Sequence, residues 1–414
     1  MLYNISTSLK SAGKVFFQNI GDYRTKVFRG KRAVDRLSAS SIEIKTVVLV
    51  YNSAWALCNF RMGVIRTLLI NGYRVVAITP FHEKYVKQLI EAGCEHIPLD
   101  LDSQGTNILK DLNSILNLIN IYSTVKPDFI FHYTVKLNIY GTIAAFLNRI
   151  PSVAVICGTG YTFLKKDILY HFVKTLYKIA LPKARQVWFV NSHQKSFFEK
   201  ENIVLTTKTS LLEGEGVDIT FFKPDAPKFE DSSFVFLLTG RMIWDKGIKE
   251  YAEAAKILKN KYDSQIECHL LGFTDCQNPH AIPKAIIDKW HTEGGIKYLG
   301  ESNDVRFYLN AADCFVLPSY YCEGVPRSLL EAASMEKPII TTDNVGCIDV
   351  VQNDYNGLIV KSKDVSDLVK KMEKMFFMKS SDREKMGKNG RQKVIKGFEE
   401  SLVIKHYLEI LKTI

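Results

Sequence analysis

The feature that most constrains the fold is a β/α alternation that runs twice. It starts at Lys45 with Thr46-Val47-Val48-Leu49-Val50-Tyr51, a near-continuous apolar run of the kind a parallel strand buried on both faces requires. A helix follows through Arg61, Val64, Leu68 and Leu69 and stops at Asn71-Gly72. Further strands are expected at Arg74 to Ile78, His96 to Pro98, Asp128 to Phe131, Ser152 to Ile156 and Val187 to Val190, with helices between them, clearest at Asp111 to Tyr122 and Ile139 to Leu147. Six strands alternating with helices make a doubly wound domain. The pattern breaks near Glu215 to Ser233, where Pro224, Pro227 and acidic residues mark a linker. It then restarts with strands at Phe234 to Leu238, Ile266 to Leu271, Lys297 to Leu299, Cys314 to Leu317, Pro338 to Thr342 and Leu358 to Val360. The tail is helical, at Val365 to Met378, Asp382 to Ile395 and Ser401 to Lys412.

The expected architecture is α/β, two Rossmann-like doubly wound domains facing each other across a cleft. The expected divisions are a basic extension over 1–44, a first domain over 45–222, a second over 233–396, and a C-terminal helix over 397–414 that packs back toward the first domain. A chain of 414 residues is long enough for two such cores.

Composition narrows the class. No window approaches 18 consecutive apolar residues, so no transmembrane helix is expected, and the N-terminus lacks a signal-peptide h-region. Eight scattered cysteines without a CxxC pair read as buried reduced thiols, and no cluster has metal-ligand spacing. The net charge of +11 is uneven: residues 1–45 hold nine Lys/Arg against three Asp/Glu. That excess fits either a solvated face or attraction to an anionic surface. Residues 1–44 fit a flexible extension and an amphipathic membrane-touching segment equally.

GxGxxG is absent after either first strand, which argues against a nicotinamide or flavin dehydrogenase; GxxxxGK[ST] and GxSxG are absent too. The chemistry-bearing residues instead gather in loops at the carboxyl ends of strands, where open α/β sheets bind ligands. Gly240-Arg241-Met242-Ile243-Trp244-Asp245-Lys246-Gly247 lies between the first strand and first helix of the second domain. Two fixed cations there, with a helix N-terminus, can hold a diphosphate and stabilise its charge as it leaves. Tyr320 to Glu331 forms a second strand-to-helix loop with Glu323 in the loop and Glu331 in the helix. Carboxylates there suit sugar and ribose hydroxyls. Gly324 lets the backbone approach a ligand closely, and Pro326 fits the first helical turn. Leu329-Leu330 and Ala332-Ala333 imply that the helix carrying Glu331 is largely buried.

Glu323-x7-Glu331 with Arg241 and Lys246 resembles the donor site of the retaining glycosyltransferases of family four, which have the GT-B fold. Gly216-Val217-Asp218, Gly300 to Asp304, Leu317-Pro318-Ser319 and Thr341 to Cys347 match as well, and the resemblance spans roughly residues 45–414. In the first domain, Phe131-His132-Tyr133-Thr134-Val135-Lys136-Leu137-Asn138-Ile139-Tyr140-Gly141 and Gly158-Thr159-Gly160-Tyr161 are similar to bacterial enzymes that extend lipid-linked saccharides for O-antigen, capsule or glycoprotein glycan synthesis. The resemblance implies a UDP-sugar donor, a hexose or N-acetylhexosamine, bound mainly by the second domain. It places Arg241 and Lys246 on the diphosphate, Glu323 with Gly324 and Val325 at the sugar, Glu331 on the ribose, and His132 near the sugar at the cleft. Asn52, Arg61, Lys136, Asn138 and Tyr161 fall on the acceptor side, facing a lipid-linked saccharide. His132, Glu323, Arg241 and Lys246 are the expected catalytic set. No Asp-x-Asp motif is placed in the cleft, so metal independence is expected, with no cofactor beyond the substrate. Glu213-Gly214-Glu215-Gly216 departs from the Pro-Gly-x-Gly turn of many relatives and adds negative charge near the cleft.

Phe163 to Arg185 mixes basic and large apolar residues, which fits a core-facing helix with a solvated back or a patch on an anionic membrane. The expected location is cytoplasmic, peripheral at the inner face of the cytoplasmic membrane. Two other classes remain open: a UDP-sugar epimerase or hydrolase on the same scaffold, and a basic nucleic-acid-binding protein. The first lacks the Arg/Lys and Glu/Glu set, and for the second no RNA-recognition sequence is present, so no nucleic-acid partner is expected.

Overall fold

The computed structural model of the protein describes residues 44–102, 108–158, 163, 167–212, 214–224, 233–274, 278, 280–321 and 324–414. Readings that rest on 1–43, Tyr161, Lys165, Lys166, Glu213 and Glu323 lie outside the described residues.

The first sheet has seven parallel strands: β1 (Thr46–Val50), β2 (Arg74–Thr79), β3 (Glu95–Pro98), β4 (Phe129–Tyr133), β5 (Ser152–Ile156), β6 (Gln186–Phe189) and β7 (Thr209–Leu211), in the spatial order 3-2-1-4-5-6-7. The second has six: β8 (Phe234–Thr239), β9 (Ile266–Leu271), β10 (Lys297–Tyr298), β11 (Cys314–Leu317), β12 (Ile339–Thr342) and β13 (Gly357–Val360), in the order 10-9-8-11-12-13. Every ladder among the described residues is parallel; Val48 pairs with Val76 on one side and Ile130 on the other. Parallel ladders need crossover helices, and those helices cover both faces. β1 shows the result: Val47 and Leu49 point into one core cluster, Val48 and Val50 into the opposite one. β7 went unread because Thr-Ser-Leu is polar and only half-buried, so it carries no apolar run.

The chain crosses between the two sheets twice. The first crossing follows β7; the second precedes the last helix, Glu400–Leu411, which returns to the first sheet. Val403, Tyr407, Ile410 and Leu411 pack with Val47, Leu49, Phe129 and Phe131, and the Tyr407 and Tyr133 hydroxyls are 2.8 Å apart. The crossings run side by side: Val217 N–H donates to Phe398 O at 2.9 Å and Glu400 N–H to Val217 O at 3.0 Å. A Cβ on Gly216, whose φ is +76°, would fall 2.9 Å from Glu400 Cα, so the close approach of the crossings requires glycine there.

Candidate active site

Both strand orders reverse once, between β1 and β4 and between β8 and β11. Loops leaving such neighbours diverge and open a crevice at the carboxyl edge of the sheet. Asn52 follows β1 and is partly exposed; His132 lies in β4; Arg241 follows β8; Gly324 follows β11.

The two loops of the second sheet are locked together. Gly247 has φ +72°, and a Cβ on it would sit 2.1 Å from Pro318 O. Tyr320 N–H donates to Asp245 O at 2.9 Å and Ser319 Oγ to the same oxygen at 3.3 Å. The loop after β9 is laid over this turn by Met242 N–H to Phe273 O and Ile282 N–H to Met242 O, at 3.0 and 2.8 Å. Lys246 is buried within the turn, and Arg241 stands partly exposed with its guanidinium carbon 6.0 Å from the centre of the Tyr321 ring.

The β11 loop also meets the first sheet. A Cβ on Gly324 would lie 2.3 Å from Val190 Cγ2 and 2.7 Å from Cys157 O, residues just beyond β6 and β5. On its other side Gly324 O leaves 1.8 Å for a Cβ on Gly346, and Asn344 Nδ2 donates to Tyr321 O at 2.6 Å. Val325 is buried. Glu331 follows on the Arg327–Ser334 helix with its side chain 17% exposed and Oε1 3.3 Å from Arg327 Nε. Burial pushes its carboxyl up to about 7, and Arg327 opposes the rise.

On the first-domain side four of the expected residues are engaged within the fold. His132 does not face the cleft: it is fully buried, its Nε2 is 2.9 Å from the Tyr122 hydroxyl, and a Cβ on Gly141 would fall 2.3 Å from its Cδ2. Burial lowers its pKa to about 3. Arg61 is fully buried because it lies on the inward stripe of the Ala54–Ile70 helix with Leu57, Val64 and Leu68. Its Nη2 pairs with Glu215, its Nη1 donates to Phe60 O at 2.7 Å, and its guanidinium carbon lies 5.0 Å from the Tyr133 ring centre. Tyr133 in turn stacks on Tyr51 at 4.9 Å. The unusual negative charge of the linker thus has a structural partner. Lys136 is tied to the Ile108–Val125 helix through Asp111 Oδ1 at 2.6 Å and to Asp102 O at 2.8 Å, while Tyr140 holds the other Asp111 oxygen. Asn138 is buried with Nδ2 donating to Val155 O at 2.9 Å. Helical phase turns Arg61 and Asn138 inward and leaves Lys136 partly exposed.

The neutral state of His132 has a thermodynamic consequence. Its folded pKa lies below the unfolded value near 6.5, so the unfolded chain binds the proton first as pH falls. Stability is therefore full above pH ~6.5 and declines below it, by about 1.4 kcal/mol per pH unit for this one proton. Urea titrations from pH 7.5 to 5 should show this slope, and His132→Asn should reduce it.

Sequence reading missed several contacts. Trp55 and Phe273 approach from opposite sheets with ring centres 6.3 Å apart, and Trp55 also meets Phe60 at 5.3 Å. His280 Nδ1 lies 2.7 Å from Asp245 Oδ2 beside the cationic turn. None of these pairs has a spacing signal. Among the described residues no group of three or more His, Cys, Asp or Glu is arranged to hold a metal ion, and no helix is long and apolar enough to cross a membrane.

Two doubly wound sheets with facing switch-point loops, joined by a double crossing, define the GT-B fold. Residues 220–393 match the family of glycosyl transferases group 1 and residues 46–191 the glycosyl transferase 4-like family, and the chain belongs to these glycosyltransferases. It is 28% identical over 372 residues to the N,N'-diacetylbacillosaminyl-diphospho-undecaprenol alpha-1,3-N-acetylgalactosaminyltransferase of Campylobacter jejuni, covering 85% of this chain and 94% of that one. It is 27% identical over 310 residues to the UDP-Gal:alpha-D-GlcNAc-diphosphoundecaprenol alpha-1,3-galactosyltransferase of Escherichia coli, covering 71% and 78%. The crystal structure of HepE from Anabaena in complex with UDP superposes with a TM-score of 0.70 over 90% of this chain and all of that chain, at 17% identity.

Proposed function

We propose that the protein transfers a hexose or N-acetylhexosamine from a UDP-sugar to a polyprenyl-diphosphate-linked saccharide, with retention of configuration and without a metal ion, in the synthesis of a bacterial surface glycan. The observation that carries this reading is the locking of the Arg241–Gly247 turn against the Pro318–Tyr321 loop, which sets two cations beside the loop that leads to Glu331. The names of the two relatives, with a lipid-linked acceptor in both and a UDP-sugar donor in one, support the substrate classes.

In this reading Arg241, Lys246 and the amides of the Gly324–Arg327 turn hold the diphosphate, Glu331 accepts from the ribose, and Glu323, Gly324 and Val325 address the sugar. The bond between the anomeric carbon and the diphosphate oxygen breaks. The acceptor hydroxyl oxygen bonds to the same face of that carbon, and its proton passes to the departing diphosphate. Recovery of a covalent glycosyl-enzyme would contradict this front-face route. His132 is left out of the sugar contacts, since its buried ring serves Tyr122. Asn52 remains on the acceptor side.

Glu331→Ala should mainly raise the dissociation constant for UDP, and Glu323→Ala should mainly lower turnover; calorimetry with UDP and steady-state kinetics separate the two. Loss of about 1–3 kcal/mol of UDP binding is expected for the first. Rapid conversion of a UDP-sugar to an epimer without any acceptor would favour the epimerase reading instead.

A membrane contact is part of the proposal. On the Ile168–Ala180 helix, Tyr170, Val173 and Tyr177 are buried while Ile168, Phe172 and Ile179 are exposed. Phe146 and Leu147 are exposed at the end of the Val135–Leu147 helix, and Lys183 Nζ lies 4.8 Å over the Phe146 ring. Apolar side chains among lysines suit an anionic bilayer surface. Lys174 contributes less, being paired with Glu201. Ile168→Glu with Phe172→Glu should abolish sedimentation with anionic vesicles; unchanged sedimentation would remove the patch from the account.

A further inference from the structure

We propose that Arg327 is a positioning residue for the donor: it keeps the Glu331 carboxylate ionised for the ribose hydroxyls and is itself braced by Phe60 of the opposite domain. This inference rests on the reading of Glu331 as the ribose-binding group.

Arg327 and Glu331 are four residues apart on one helix, so their side chains lie on the same face. Nε and Oε1 are 3.3 Å apart, and the side chains are 14% and 17% exposed. A carboxylate so enclosed drifts toward its neutral form, and Arg327 is what opposes that drift. The distinction matters to a ribose. An ionised carboxylate accepts from two hydroxyls, whereas a protonated one spends an oxygen as a donor.

Arg327 Nη1 is buried with no hydrogen-bond partner among the described residues, and Nε reaches only the Glu331 carboxylate, at 3.3 Å. Unpaired buried donors are costly unless something else holds the group. The Phe60 ring supplies that hold, with the guanidinium carbon 5.8 Å from its centre. Phe60 lies on the Ala54–Ile70 helix of the first domain, so the charge that tunes Glu331 is steadied across the cleft.

Arg327 also faces carboxylates other than Glu331. Asp218 of the linker and Glu400 of the last helix feel Arg327 from the hinge side, and Glu400 also feels Arg61. On the Ser380–Gly397 helix, Arg391 donates to Ser334, Phe222 and Ile219 carbonyls and approaches Glu336, while Lys393 faces Asp349. Neither lysine nor arginine of that helix substitutes for Arg327 at Glu331.

The test is UDP binding by calorimetry from pH 5.5 to 9 with the full chain and its Arg327→Met, Arg327→Lys, Phe60→Leu, Glu331→Gln and Arg327→Met/Glu331→Gln variants. The phosphate titration of UDP is common to all and cancels in the comparison. Wild-type affinity should rise as pH passes through about 7. Arg327→Met should move that midpoint up by about one unit or more, a loss of roughly fivefold or more in affinity at pH 7. Arg327→Lys should restore most of it, and Phe60→Leu should give a smaller shift in the same direction. Glu331→Gln should abolish the rise, and adding Arg327→Met to it should cost nothing further. An unshifted midpoint in Arg327→Met, or a full additional loss in the double variant, overturns the proposal. Should Arg327→Met fail to fold, an upward-shifted midpoint in Phe60→Leu supports the proposal and an unshifted one overturns it. If the wild type binds no UDP, the donor reading itself fails, a result distinct from either.

Discussion

Arg61→Met should destabilise the protein by about 3–5 kcal/mol in urea denaturation, because removing one partner of a buried ion pair leaves the other charge without compensation. The guanidinium is fully buried, and Glu215 is nearly so. The neighbouring groups are poor substitutes for an ionic partner: Cys157 Sγ lies 3.7 Å from Nη2 and the Tyr133 ring offers only its face. The pair joins the first helix of one domain to the linker that leads to the other. Its loss should therefore loosen the crossing as well as the core, and donor affinity should fall with stability. Glu215→Gln should be milder, since an amide keeps a hydrogen-bond acceptor for the guanidinium. Arg61→Met with Glu215→Leu should recover most of the stability, because an apolar pair of similar volume avoids the desolvation cost. A double variant as unstable as Arg61→Met alone would show that the site acts through shape rather than charge.

The second large effect is catalytic. Arg241→Ala and Lys246→Ala should each lower turnover by about 10²–10³-fold with the acceptor KM little changed, the magnitude typical of removing one preorganised group from developing negative charge. The geometry supports an effect of that size. Lys246 is buried in the turn that Gly247 packs against Pro318. Arg241 rests near Tyr321 and carries no ion pair with a described residue, which leaves its charge for a ligand. Arg241→Lys should recover part of the loss but not all, since a point charge cannot reproduce a bidentate fork on a diphosphate. Losses below tenfold in both alanine variants would mean that the leaving diphosphate is stabilised elsewhere.

The sequence made the architecture legible because a strand buried on both faces must be an apolar run, and β1, β5, β8 and β11 are. It also placed Arg241 and Lys246 after β8 and Glu331 on the helix after β11, the segments proposed to take the donor. The partial burial of Glu331 was foreseeable from Leu329, Leu330, Ala332 and Ala333. The first-domain side was read less well for a physical reason: position along the chain puts a residue at the carboxyl edge, but helical phase decides where its side chain points. Arg61 falls on the stripe of Leu57, Val64 and Leu68, so its inward direction was available from the same periodicity that identified the helix. Its partner was not, because Glu215 lies 154 residues away in a linker. His132 was misplaced because an edge position says nothing about Tyr122, which approaches from a neighbouring helix. Arg327 stood inside the motif that drew attention to Glu323 and Glu331, and only the fold brings Phe60 to it.

The central claim is sugar transfer from a UDP-sugar to a lipid-linked saccharide. It is tested most directly by incubating the protein, with a chelator present, with a panel of UDP-hexoses and UDP-N-acetylhexosamines and a polyprenyl-diphosphate-linked saccharide, and reading the acceptor by mass spectrometry and the new linkage by NMR. The account predicts one added sugar from one donor of the panel, in the anomeric configuration the donor had. An acceptor left unchanged by every UDP-sugar, or a product of inverted configuration, would contradict it.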